Sequence, residues 1–245
     1  MRAAFFFASF FVACFSWAQI DLRGKAFLEE PWPGKWSKQC QDWPLSLAPV
    51  YLDPKPNPQI SIQKINNSVR LRGIVHFKSK NVQSLDRVFQ KVQAYPAWIM
   101  PGINNKAGGS YFVQLGSMKA QYFKNRKYIA LSNHFDLKLF FFKRSGASTM
   151  FVRRALEKTP DCALFKEQKA IKYVFRMIPR PSVLKYFIAE FWLLSDGESA
   201  QIHWRAVAKL PNLLYQILPE KLLRSELEQR SRRIFQNLLE VVNLN

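Results

Sequence analysis

Three consecutive pieces of the chain decide the fold: Val69-Arg-Leu-Arg-Gly-Ile-Val-His-Phe-Lys78, then Ser84-Leu-Asp-Arg-Val-Phe89, then Tyr95-Pro-Ala-Trp-Ile-Met100. In the first, Val69, Leu71, Val75 and Phe77 alternate with Arg70, Arg72, His76 and Lys78, the two-residue period of a half-buried antiparallel strand. In the second, Leu85, Val88, Phe89 and Val92 fall at i, i+3, i+4 and i+7, which predicts a short helix over 85–93. Ser84 is its expected N-cap, with Asp86 in the first turn. The third piece is a turn running into Pro101-Gly102.

Downstream the chain is rich in β-character. Candidate strands are 111–118, 128–144, 149–156, 170–178, 183–194 and 199–209, with turn signals at Ser145-Gly146, Pro179-Arg180-Pro181 and Ser195-Asp196-Gly197. Consecutive strands joined by short turns make an antiparallel meander. Pro211 and Pro219 then lead into a helix running to about 242. Leu223, Leu227, Ile234, Leu238 and Val241 form its apolar stripe, widened by Phe235 and Leu239. Glu226 with Arg230, and Glu228 with Arg232, are i,i+4 pairs in the favourable orientation. The expected class is therefore α+β: a curved antiparallel β-sheet gripping a long C-terminal α-helix. A bent sheet rarely closes fully on a single helix, so a cavity is expected between them.

This order resembles the START-like (SRPBCC, helix-grip) superfamily of lipid-binding domains. The resemblance rests on the three pieces quoted above, and on Leu210-Pro-Asn-Leu-Leu214 and Leu218-Pro-Glu-Lys-Leu222 before the final helix. It covers roughly residues 60–245, and the Trp-Pro-x-x-x-Arg-Asp signature common in START domains is absent between Tyr122 and Phe142, which marks a divergent member. It implies a cavity that holds a lipid or another hydrophobic small molecule, usually without chemistry.

The start of the chain reads as an address. Met1-Arg2 precedes an apolar run over 3–14 with five Phe, and Ser16-Trp17-Ala18 offers small residues where a signal peptidase cuts. Residues 1–18 are thus expected to be a signal peptide. An uncleaved anchor and a lipoprotein signal at Cys14 are the alternatives. Residues 19–58, with seven Pro and with Trp32, Trp36 and Trp43, read as an N-terminal arm, and 59–245 as the START-like domain. Export, to a periplasm first and by secretion otherwise, permits a disulfide between Cys40 and Cys162, against two buried thiols.

Charge narrows the partners. The 245-residue chain has 37 Lys and Arg against 17 Asp and Glu, and residues 60–154 hold 17 basic residues with Asp86 and Asp136 the sole acids. Lys124, Arg126, Lys127, Lys143, Arg144, Arg153 and Arg154 are candidate contacts to an anionic membrane surface or other anion. No recognition motif accompanies the charge, so nucleic acid is not the expected partner. The three histidines lack metal-ligand spacing, and no Walker, dinucleotide or Gly-x-Ser-x-Gly motif occurs.

No metal, cofactor or catalytic residue is therefore assigned, and the expectation is a monomeric non-enzyme. Its candidate ligand-binding residues are Trp98, Met100, Phe135, Leu137, Phe191, Leu223, Leu227, Ile234 and Phe235, with Trp98 and Met100 at a flexible entrance. Two alternatives stand beside it. One is an exported binding module for an anionic polymer or protein. The other is a cavity enzyme of cyclase or hydrolase type, which needs His134, His203 or Asp136 to converge with a polar partner.

Overall fold

The computed structural model describes residues 50–51, 59–65, 68–77, 81–99, 111–123, 128–139, 142–158, 169–178, 186–196, 199–210, 212–217 and 220–244. The expected signal peptide, most of the arm, Cys40, Cys162, Met100, Lys124, Arg126 and Lys127 lie outside them. Nine strands and four helices are described: β1 (Val50–Tyr51), β2 (Gln59–Ile65), β3 (Ser68–Phe77), α1 (Val82–Gln90), α2 (Ala94–Ile99), β4 (Tyr111–Phe123), β5 (Tyr128–Leu139), β6 (Phe142–Lys158), β7 (Lys169–Met177), β8 (Tyr186–Asp196), β9 (Ser199–Lys209), α3 (Asn212–Ile217) and α4 (Glu220–Asn243).

The body is a curved antiparallel sheet in the order β3-β9-β8-β7-β6-β5-β4, with α4 as the long C-terminal helix. The first strand of the body pairs with the last, because β3 runs antiparallel to β9 from Ser68 opposite Lys209 to Phe77 opposite Ala200. That pairing brings the strand before α1 next to the strand leading to α4. On the other edge of β3, β2 pairs antiparallel and β1 parallel. A register shift between Leu115 and Met118 bulges β4, a device that bends a strand.

Alternation assigns the two faces of the sheet. Val69, Leu71, Val75, Ile129, Leu131, Val152, Tyr173, Phe175, Ala189, Ile202, Trp204 and Ala206 form one buried cluster with Leu85, Val88 and Phe89 of α1 and Phe235, Leu238 and Val242 of α4. This is the inner face. Leu227, Ile234, Phe235, Leu238, Leu239 and Val241 of the predicted stripe of α4 join it, since a 3.6-residue period puts them on one side, and Val242 is buried with them. The outer face is buried across its centre as well: Ile74, Val174, Ile188, Trp192 and Val207 are each at most 6% exposed.

Four local expectations are corrected. Helix α1 starts earlier than Ser84, because Asn81 caps it, its Oδ1 accepting from the Ser84 backbone N–H at 2.8 Å. The Tyr95-Pro96 segment is a short helix rather than an open turn, tied back by the Tyr95 hydroxyl donating to the Phe89 carbonyl at 2.6 Å. The single long strand expected over 128–144 is a hairpin that reverses between Leu139 and Phe142. Ser145 and Gly146 therefore sit inside β6, opposite Asp136 and Phe135, where ladder pairing outweighs their turn preference. Finally, the arm is not wholly loop, since its Val50 and Tyr51 form β1.

Candidate functional site

The centre of the inner face is aromatic. Phe191, on β8, has its ring centroid 5.0 Å from Phe175, 5.9 Å from Phe89, 6.3 Å from Trp204 and 6.4 Å from Phe235. Phe89 also meets Trp98 at 5.3 Å and Tyr173 at 4.7 Å, and Trp204 meets Phe235 at 5.6 Å. Of the four rings around Phe191, none is more than 4% exposed, yet Phe191 itself stays partly accessible. A ring in the middle of a central strand, walled by buried rings, keeps accessible surface only where the layer is not filled.

A polar cluster adjoins this layer where α1 crosses β6 and β7. Both Asp86 oxygens accept twice. Arg154 Nε donates to Oδ1 and Nη2 to Oδ2, each at 2.9 Å, the Tyr173 hydroxyl donates to Oδ1 at 2.6 Å, and Gln90 Nε2 to Oδ2 at 2.8 Å. The Asp86 hydrogen bond holds the Arg154 guanidinium even further above its usual range. Burial, then the bond to Asp86, push the Tyr173 phenol well above the ordinary tyrosine range. At neutral pH, then, Tyr173 is a neutral donor, and both Asp86 oxygens are already occupied by donors. Chemically this is a clamp of helix on sheet, since a general base needs a free lone pair facing its substrate.

The outer face carries a second cluster. Glu190 accepts from Arg205 Nε at 2.6 Å and is ion-paired with Arg205 Nη2 at 2.6 Å and Lys172 at 3.2 Å. Lys172 Nζ also lies 4.7 Å from the Trp192 ring centroid. His203 contacts Gln201 Oε1 at 3.0 Å, and burial with the nearby His76 lowers its pKa to about 4.

Of the sequence-predicted ligand residues, Phe191, Leu227, Ile234 and Phe235 gather in the inner layer. Trp98 joins them, but as a buried wall 2% exposed rather than a flexible entrance; its carbonyl accepts from Asn237 Nδ2 of α4 at 3.3 Å. Leu223 belongs to α4. Phe135 and Leu137 belong to β5, in register with Gly146 and Arg144 of β6. Lys143 also lies on β6. Arg153 and Arg154 do not form one patch: neighbouring strand residues face opposite ways, and Arg154 turns to the inner face and pairs with Asp86. His134 and Asp136 are exposed on the outer face, and His203 is buried there, so the convergence required of a cavity enzyme built on them does not occur.

Sequence reasoning missed the Asp86, Gln90, Arg154 and Tyr173 set. A signal was present: Asp86 is one of two acids in residues 60–154 and sits inside the apolar stripe of α1, beside Leu85. Among the described residues no three His, Cys, Asp or Glu gather as metal ligands, and no helix is long and apolar enough to cross a membrane.

No protein-family model matches the sequence, and no curated protein does. Solved structures do match. TTHA0849 from Thermus thermophilus aligns over 71% of this chain and 97% of its own, with TM-score 0.47 and 9% identity. The Zhui aromatase/cyclase from Streptomyces sp. R1128 aligns over 72% and 94%, with TM-score 0.41 and 12% identity. Ara h 8.0201 aligns over 71% and 100%, with TM-score 0.38 and 11% identity. The expectation of a non-enzyme is withdrawn, since an aromatase/cyclase is among the matched structures.

Proposed function

We propose that this protein takes up a hydrophobic small molecule, in the first instance a lipid, between the inner face of the sheet and α4. The observation that carries the reading is Phe191, accessible although ringed by Phe89, Phe175, Trp204 and Phe235. An aromatic-lined space under an amphipathic helix removes a guest's apolar surface from water, at about 25 cal/mol per Å² buried. The same reading makes the protein an exported monomer whose basic surface meets anionic lipid headgroups. Its net charge of +20 supports that electrostatic part.

The test is native mass spectrometry and solvent extraction of the protein purified from its own compartment, followed by displacement of the neutral dye Nile red. A reproducible co-purified apolar mass and saturable dye uptake, both weakened by Phe191→Asp, are expected. A folded wild-type protein that takes up neither lipid nor dye overturns the reading. Comparing the extracted molecule with the one supplied shows in the same experiment whether the guest is converted.

A further inference from the structure

Burial on the inner face changes along the strands. The row that crosses it through Ile129, Val152, Phe175, Ala189 and Ala206 is closed, each residue at most 7% exposed. The next row, away from Asp86, is half-buried: Met150 lies opposite Met177 and Phe187 opposite Ala208, and all four keep accessible surface. Phe187 stands on the same face of β8 as Phe191, with only the methyl of Ala189 between them. Apolar surface of the inner face is therefore open at this end of the sheet.

A polar pair adjoins that surface. Asn133 of β5 lies opposite Ser148 of β6 and Met118 of β4, and the Ser148 hydroxyl donates to Asn133 Oδ1. Alternation places the pair on the inner face, two residues beyond Leu131 and Met150. Ser148 is buried, whereas Asn133 is half-buried and keeps accessible surface. With Oδ1 taken by Ser148, Asn133 presents the two hydrogens of Nδ2, and among the described residues nothing accepts from them. Met118, Leu131 and Met150, the sheet residues around the pair on this face, carry no charge. An ionised head would find no counter-charge among them, while a neutral oxygen would find two donors.

We propose that Asn133 seats an uncharged carbonyl group of the hydrophobic guest, Nδ2 donating to its oxygen while the apolar remainder lies over Met150, Met177 and Phe187. The two thioether side chains adapt to the shape of what covers them. Ser148 acts as a positioning residue, since its bond to Oδ1 holds the carboxamide with its donors outward. The inference rests on the proposed uptake of an apolar guest and names the polar group which that guest carries.

The test compares methyl heptyl ketone with its isosteric alkene, in which a methylene replaces the oxygen, by Nile red displacement from the full chain. Asn133→Leu is expected to weaken ketone binding about fivefold, the worth of one neutral hydrogen bond. Alkene affinity should stay unchanged, which also shows that the variant is folded. Ser148→Ala, a smaller change, should lose part of the ketone affinity and none of the alkene affinity. Equal effects of both substitutions on the two compounds, or none on the ketone, overturn the seat while the cavity stands. Failure of both compounds to displace the dye from the wild type overturns the cavity and the seat together.

Discussion

Two carboxylates, Asp86 and Glu190, sit on opposite sides of the same sheet, and each gathers basic or phenolic donors. Around Glu190 the whole group is sealed: Arg205, Lys172 and Glu190 side chains are 2%, 6% and 4% exposed. Around Asp86 the acid is enclosed but its cation Arg154 is a third open. The same chemistry has different consequences. A sealed cluster spends its donors on internal charge balance, and removing one member strands another in low dielectric. A half-open cluster has its internal bonds satisfied on one edge and presents the other to whatever arrives from solvent.

That contrast breaks most sharply at Glu190. Glu190→Gln removes the anion between two buried cations and is expected to destabilise by about 3–5 kcal/mol, read from chemical denaturation midpoints. A loss near zero would mean that water reaches the outer cluster, and the two faces would not differ as described.

Acid should act next most strongly, again on the outer side. The folded pKa of His203 lies at about 4, below the ordinary 6.5, so between those values the unfolded chain binds the extra proton. His203 then leaves stability at its maximum above pH 6.5 and lowers it as pH falls toward 4, by up to about 3 kcal/mol. His203→Gln should flatten that part of the pH profile of unfolding. A profile unchanged by the substitution would remove His203 as its source.

The smallest effect is expected on the inner side. Tyr173→Phe deletes one of four donors to Asp86 and leaves Arg154 and Gln90 in place, so about 1.5 kcal/mol should be lost. A loss as large as that at Glu190 would show the inner cluster to be as sealed as the outer one, although Arg154 is a third exposed.

Much of the architecture was legible in the residues. The alternation from Val69 to Phe77 and the stripe from Leu227 to Val241 each follow from a local period, and both periods survive in the structure. Ser145-Gly146 was misread because a turn preference is local while a ladder is not: Gly146 is held by its pairing with Phe135 on the neighbouring strand. Of the site, the apolar members Phe191, Leu227, Ile234 and Phe235 were visible as periodic hydrophobic positions. Asp86 and Arg154 were visible as residues but not as partners. They are 68 positions apart, and no pattern in either segment refers to the other.

The order of residues alone determined which side chains share a face, because the periods of strand and helix are properties of the backbone. The charge excess of residues 60–154 is set in the same way, since counting needs no coordinates. Only the tertiary structure decided that β3 lies against β9, that Arg154 meets Asp86, and that a ring at the centre of the sheet keeps accessible surface. Those outcomes depend on how a bent sheet and one helix share a finite volume, and volume is filled by residues distant in the chain.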